Sequence, residues 1–284
     1  MKKLIVLLLL IILFTYFIYT NVNNRVIHVS KIGDYQMSEQ VNGQNKRIKL
    51  MTYNIQHGVG IDSRLDLDRI ARLIKQSGAD VIGLNEVDYA MKRSAFKNQV
   101  NYLAKKLDMN YAFGASVKRF TGSYGNAVLS RYPIDKIENH KLPSITAEKE
   151  TEKRALLKAE IKLAENTTLF VLNTHLSLDR RERSGQIKWI QDYADSLSEP
   201  YILMGDFNTE IHEIHSVLSE NGRNSSRLTP LIKGMKTFPA ANPSKEIDMF
   251  FSSDSPPFTV KRGFTIQSDA SDHLPVVLEL DLIG

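Results

Sequence analysis

The chain has 284 residues, a net charge of +5 and no cysteine. The missing thiols exclude disulfides, a cysteine nucleophile and a cysteine-based zinc site. Its lysines and arginines are scattered rather than blocked, which suits a surface near anionic lipid or polymer better than a dedicated nucleic-acid binder.

Lys2 and Lys3 precede an uncharged run from Leu4 to Tyr19, interrupted only by Thr15 and the tyrosine hydroxyls. Such a run behind basic flanks is a secretory signal or an uncleaved anchor. The stretch Tyr19-Thr20-Asn21-Val22-Asn23 lacks the small-x-small pattern of a cleavage site, and Tyr16 and Tyr19 suit a membrane interface. One N-terminal hydrophobic helix over residues 1–20 is therefore expected, a single-pass cell-membrane anchor with the lysines cytoplasmic and the remainder exported. Cleavage and secretion are the alternative. Residues 21–45 are polar and irregular and predict a spacer. Residues 46–284 hold no linker or repeat, and roughly 235 residues suffice for one domain with a sizeable core.

Within that domain, Arg47 to Ile55 predicts a strand. Ile48, Leu50 and Thr52 fall on one side, with Met51 and Tyr53 on the other, so both faces are expected to be buried. Asp66 to Ser77 predicts a helix stopped by Gly78. Ala79 to Leu84 predicts a strand ending at Asn85-Glu86. Val100, Leu103, Ala104 and Leu107 mark a helix, and Asn126 to Ser130 a short strand. Ala155, Leu157, Ala159 and Ile161 alternate as in a half-buried strand. Thr168 to Asn173 predicts the next strand, and Ile187 to Leu197 a helix in which Trp189 and Tyr193 pack. Strands follow at Tyr201–Gly205, Ile247–Phe251, Phe258–Phe264 and Val276–Leu282. The order is not the strict alternation of a parallel doubly wound sheet. An α+β fold of two stacked sheets with helices outside matches it better.

Chemically capable residues recur at the ends of these strands. They are Asn54, Glu86, His175, Asp206 with Asn208, Asp248, and Asp272 with His273. Strand-end loops are where a rigid scaffold holds functional groups. Gly205-Asp206-Phe207-Asn208 puts a carboxylate and an amide on one side of the backbone. Asp248 lies between Ile247 and Met249-Phe250-Phe251, where a lone carboxylate is costly and a histidine is a natural partner. Arg154 starts the alternating strand, either as a phosphate clamp or as a solvated charge.

Seven strings in order carry a resemblance. They are Met51-Thr52-Tyr53-Asn54-Ile55, Asn85-Glu86-Val87, Gly125-Asn126-Ala127-Val128-Leu129-Ser130-Arg131, Asn173-Thr174-His175-Leu176, Gly205-Asp206-Phe207-Asn208, Ile247-Asp248 and Ser271-Asp272-His273-Leu274-Pro275. With them the chain resembles the endonuclease/exonuclease/phosphatase superfamily, whose DNase I-like fold is a four-layer α/β/β/α sandwich of two mixed sheets. The resemblance implies a metal-dependent phosphoric ester hydrolase using Mg²⁺, with Mn²⁺ as a substitute. It implies that Glu86 holds the metal with Asn54 and Asp272 beside it, and that Asp206 orients or deprotonates the attacking water with Asn208. His175 and His273 are then donors to the phosphoryl oxygens, and Asp248 orients His273.

The extension Gln56-His57-Gly58 resembles the exported, membrane-linked branch, with His57 capping the loop in preference to touching a headgroup. A lipid headgroup or envelope phosphodiester is the expected substrate, with the membrane as partner and a monomer as the working unit. An exported nonspecific nuclease is the competing expectation, so nucleic acid is the less favoured partner. A non-catalytic phospholipid-binding module is the third.

Overall fold

The computed structural model describes residues 26–29, 47–145, 152–165, 167–220, 228–254 and 256–283. The expected anchor at residues 1–20 lies outside them. The expected spacer is not wholly irregular, because Val26–Val29 forms strand β1.

The further strands are β2 (Arg47–Asn54), β3 (Val81–Tyr89), β4 (Asn110–Lys118), β5 (Ser123–Ser130), β6 (Ile134–Lys141), β7 (Ala155–Ala164), β8 (Thr167–His175), β9 (Tyr201–Asp206), β10 (Thr229–Pro230), β11 (Asp248–Ser252), β12 (Phe258–Thr265) and β13 (Val276–Leu282). The helices are α1 (Leu67–Ser77), α2 (Gln99–Leu107), α3 (Arg180–Asp195) and α4 (Ile211–Ser219). One sheet runs β1-β4-β5-β3-β2-β13-β12 and the other β10-β11-β9-β8-β7-β6. Both are mixed: β2 pairs parallel with β3, and β8 with β9, while the other pairs are antiparallel. This is the four-layer sandwich with a DNase I-like arrangement.

The pleat of β2 explains the layers. Ile48 and Leu50 join a core between the sheets with Val171, Ile202 and Phe250. Met51 and Tyr53 point the other way, against Ile70 and Ile74 of α1 and Leu103 of α2. A third core packs α3 and α4 on the second sheet through Ile187, Ile190, Ile214 and Leu218. Each such buried aliphatic side chain contributes about 1.5–3 kcal/mol. Helix α1 starts where the Asp66 carboxylate accepts from Arg69 N, and it stops at left-handed Gly78. Trp189 stacks on Tyr193 beside His140, so both pack as expected.

Several strands outrun their sequence signal. Strand β3 does not end at Leu84 but passes through Glu86 to Tyr89. Helix α3 begins at Arg180, with Asp179 as its N-cap, well before the first apolar residue of its face. Strands β4 and β6 and helix α4 gave no clear period. Strand β6 is polar and only partly buried, and the apolar run of β4 includes small residues, so neither shows a clean alternation.

Candidate active site

One end of the sandwich collects the candidate residues. The parallel register sets Asn54 beside Asn85 and His175 beside Asp206, and the antiparallel one sets Asp248 beside Asp206. Residues from β2, β3, β8, β9, β11 and the β12–β13 connection thus meet around one carboxylate.

That carboxylate is Asp206, which is buried. Its Oδ2 accepts from Asn54 Nδ2 at 3.0 Å, and its Oδ1 from Asn208 N at 2.9 Å. His175 Nε2 lies 3.5 Å and His273 Nε2 3.7 Å from Oδ2. Burial and the charge of Asp248 push its pKa up, against the pull of His273 and the two bonds. The preceding Gly205 has φ 141°, and a Cβ there would stand 1.9 Å from the Thr174 carbonyl oxygen. Only glycine lets β9 lie this close to β8.

His273 is built differently from His175. Its Nδ1 donates to Asp248 Oδ2 at 2.8 Å, and Thr237 Oγ1 donates to the same oxygen. Burial opposes its charge, but Asp248, Asp206 and Asp272 outweigh that and raise its pKa, so the ring is protonated at neutral pH. His175 is held neutral, its pKa depressed by burial and by the Arg154 charge. Arg154 Nη1 lies 2.9 Å from His175 Nδ1 and 2.7 Å from Glu152 Oε1. A guanidinium can only donate, and so can the amide nitrogen of Asn208, so each nitrogen of the neutral ring faces a donor. Asn208 Nδ2 lies 2.9 Å from His175 Nε2 and donates to the Leu176 carbonyl at 2.9 Å. Arg154 itself is buried, which excludes the alternative of a solvated strand-end charge.

Glu86 sits in a bulge of β3 against β5, with φ 59°. The extra residue turns its side chain toward the mouth. Its Oε1 accepts from Asn54 Nδ2 at 3.1 Å, and Oε2 lies 4.0 Å from His57 Nδ1. Burial resists ionisation, but the hydrogen bonds of His57 and Asn54 and the charge of His273 prevail and hold the pKa at about 2. His57 thus faces Glu86 rather than capping the loop through its ring, while its carbonyl accepts from Gln99 Nε2 at 2.6 Å. Asp272 has its pKa raised by burial, opposed by His273 and reinforced by the Glu86 charge.

Two groups could be considered for a metal. Ligand atoms of Asp206, Asp248 and His273 lie within 4.8 Å of one another. That group is a poor cation site, because His273 is protonated and spends Nδ1 on Asp248. Glu86 fits better: it is ionised, half-open, and close enough to Asp272 for two like charges to repel. A hard cation prefers one or two such carboxylates.

Beneath the site lies a device that the sequence reading did not assign. Asn85 Nδ2 reaches Asn126 Oδ1 at 3.0 Å and the Thr174 carbonyl at 2.9 Å, and Asn85 Oδ1 accepts from Asp206 N at 3.1 Å. Asn173 Nδ2 donates to the Leu84 and Ala127 carbonyls at 3.0 and 2.9 Å. These buried amides tie one sheet to the other under Asp206. The signal was present, since polar residues within apolar strands require partners, as Asp248 does. Thr237 lies in a loop with no such signal.

The fold and this strand-end constellation define a phosphoester hydrolase of the endonuclease/exonuclease/phosphatase type. Residues 51–273 match the Endonuclease/Exonuclease/phosphatase family, and the chain belongs to it. The uncharacterized protein YbhP of Escherichia coli K12 is 26% identical over 255 residues, covering 84% of this chain and 98% of that one. A mannosyl-6-phosphatase of Bacteroides thetaiotaomicron superposes with a TM-score of 0.65 at 18% identity, over 82% of this chain and 99% of the other. TDP2 of D. rerio, in complex with a single-strand DNA product, gives 0.62 at 18% identity, over 83% and 99%. At these identities the two structures show the shared fold.

Proposed function

We propose that the chain is a divalent-metal-dependent phosphodiesterase or phosphohydrolase that acts outside the cytoplasm on a lipid headgroup or envelope phosphodiester. The observation that carries the hydrolytic part is the setting of Asp206. A buried carboxylate with a raised pKa stands between a neutral imidazole and a protonated one, close to an ionised glutamate.

Asp206 accepts the proton of a water held by Asn208 and Asn54, and its raised pKa matches that task near neutral pH. His273, charged and fixed by Asp248, donates to a phosphoryl oxygen where negative charge grows. His175 stands beside the same region as a neutral imidazole, held between Arg154 and Asn208. Glu86, flanked by Asn54 and Asp272, would hold Mg²⁺, with Mn²⁺ as a substitute. The cation supplies charge neutralisation to the phosphoryl group. One chain supplies every residue, which suits a monomer.

The lipid substrate is supported by the uncharged run Leu4–Tyr19 and by the Gln56-His57-Gly58 extension. An exported nuclease is the second reading, favoured by the fold shared with a DNA-bound neighbour. The test uses the full chain in detergent micelles. Bis-p-nitrophenyl phosphate, phospholipid vesicles and plasmid DNA are each offered with Mg²⁺ and with EDTA. Lipid cleavage alone is the expected result. DNA cleavage alone would transfer the function to the nuclease. No metal-dependent turnover on any of them would leave a phospholipid-binding module.

A further inference from the structure

Seven large apolar side chains are exposed among the described residues, and their placement is uneven. Phe120 is fully exposed, Leu178 is 76% exposed and Phe96 58%; Ile61 and Ile145 are also open. The other two, Val260 and Ile283, lie toward the opposite end, where β12 starts and β13 stops.

The strand registers place the first five at one level. Lys118 of β4 pairs with Ser123 of β5, and Ser123 with Tyr89 of β3, three residues past Glu86. The connections carrying Phe120 and Phe96 therefore stand at the catalytic end. Leu178 follows His175 by three residues, and Ile145 lies in the connection that leads into β7 beside it. Ile61 N donates to the Asp269 carbonyl, in the connection that leads to His273. Five apolar side chains thus ring the mouth from both sheets.

Basic residues accompany the two phenylalanines. Lys92 and Lys97 lie in the connection that carries Phe96, and Arg119 lies in the one that carries Phe120. Asp62 and Asp269, near Ile61, share Arg69 at 3.0 and 3.3 Å.

We propose that these loops form a lipid-facing surface that seats the mouth directly on an anionic bilayer. The purpose of this seating rests on the phosphohydrolase reading above, because it delivers a headgroup phosphate to Asp206. Phenylalanine and aliphatic tips enter the headgroup–acyl boundary while the basic residues meet anionic headgroups. Stacking of nucleic-acid bases needs aromatic rings and has no use for Ile61, Ile145 and Leu178 spread around the rim.

The direction of β1 agrees. It runs antiparallel to β4, with Val26 opposite Gly114 and Val29 opposite Tyr111, so the chain enters β1 from the catalytic side. Gly114 is four residues short of Lys118, a rise of about 13 Å. Six residues separate Tyr19 from Val26, enough at full extension for about 20 Å. An apolar run held in the bilayer and a mouth facing it are therefore compatible.

The absence of cysteine allows single labels. In full-length chain carrying the Phe120→Cys, Leu178→Cys or Ile283→Cys substitution, an environment-sensitive fluorophore is attached. The protein is reconstituted with phosphatidylcholine vesicles, with or without phosphatidylglycerol. Acyl-chain-brominated lipid should quench the labels at 120 and 178 about threefold more than that at 283, and more so with phosphatidylglycerol. The Phe96→Asp/Phe120→Asp pair should abolish quenching at 178 while hydrolysis of bis-p-nitrophenyl phosphate stays within about twofold. Equal quenching at all three sites would overturn the proposal. So would shielding of the 120 label by a single-stranded oligonucleotide without any acyl-chain quenching. Quenching is read without turnover, so a chain that docks but hydrolyses nothing would sink the function and leave the surface standing.

Discussion

Replacing Asn85 with alanine tests whether the buried amides set the catalytic geometry. Asn85 is fully buried and bonds Asn126, Thr174 and the Asp206 backbone N–H. Alanine leaves the Asp206 N–H and Asn126 Oδ1 without those partners inside the protein. A buried orphan costs roughly 1–3 kcal/mol, so two orphans with the lost amide packing cost about 3–5 kcal/mol. For a domain of this size that corresponds to a melting temperature lower by about 6–20 °C. Asp206 also loses the bond that fixes its backbone, so kcat on bis-p-nitrophenyl phosphate should fall by about 10²-fold or more at temperatures where the variant is folded. Differential scanning calorimetry and initial rates on the same sample measure both. A melting point within about 2 °C of the wild type, with unchanged kcat, would show that the amide network neither couples the sheets nor places Asp206.

Asp206→Asn and His273→Ala should each remove activity by about 10³-fold while far-UV circular dichroism stays native; a variant that keeps the wild-type rate would refute its assigned role. The pH–rate profile should be bell-shaped, rising as Asp206 ionises and falling as His273 loses its proton. Asp248→Asn removes the charge that raises the His273 pKa, so the alkaline limb should move to lower pH. Stability carries the same sign. A histidine raised above its usual 6.5 contributes stability fully present below that value and lost as pH rises through about 10, and the loss should shrink in Asp248→Asn. Arg154→Ala removes a charge that depresses the His175 pKa, so that ring should protonate at higher pH, readable by NMR of the labelled imidazole. Gly205→Ala drives a Cβ to 1.9 Å from the Thr174 oxygen and should destabilise by at least about 3 kcal/mol, measured by urea unfolding.

Much of this protein is written locally. The alternation of Ile48 and Leu50 against Met51 and Tyr53 marked a strand buried on both faces. The apolar surroundings of Asp248 demanded a charged partner, and His273 is that partner. Strand ends with carboxylate, amide and imidazole marked the site before any contact was known. Other features arise only when distant segments meet. The three asparagines under the site are ordinary strand residues until two sheets stack and leave each amide a single set of partners. The difference between His175 and His273 is invisible in the chain, because one imidazole faces Arg154 and the other Asp248. The outward turn of Glu86 comes from a bulge against β5, and the apolar ring around the mouth comes from five separate connections brought level by strand register. Sequence fixes what each residue can do; pKa and exposure depend on neighbours from 21 to 152 positions away, and only the packed structure supplies those.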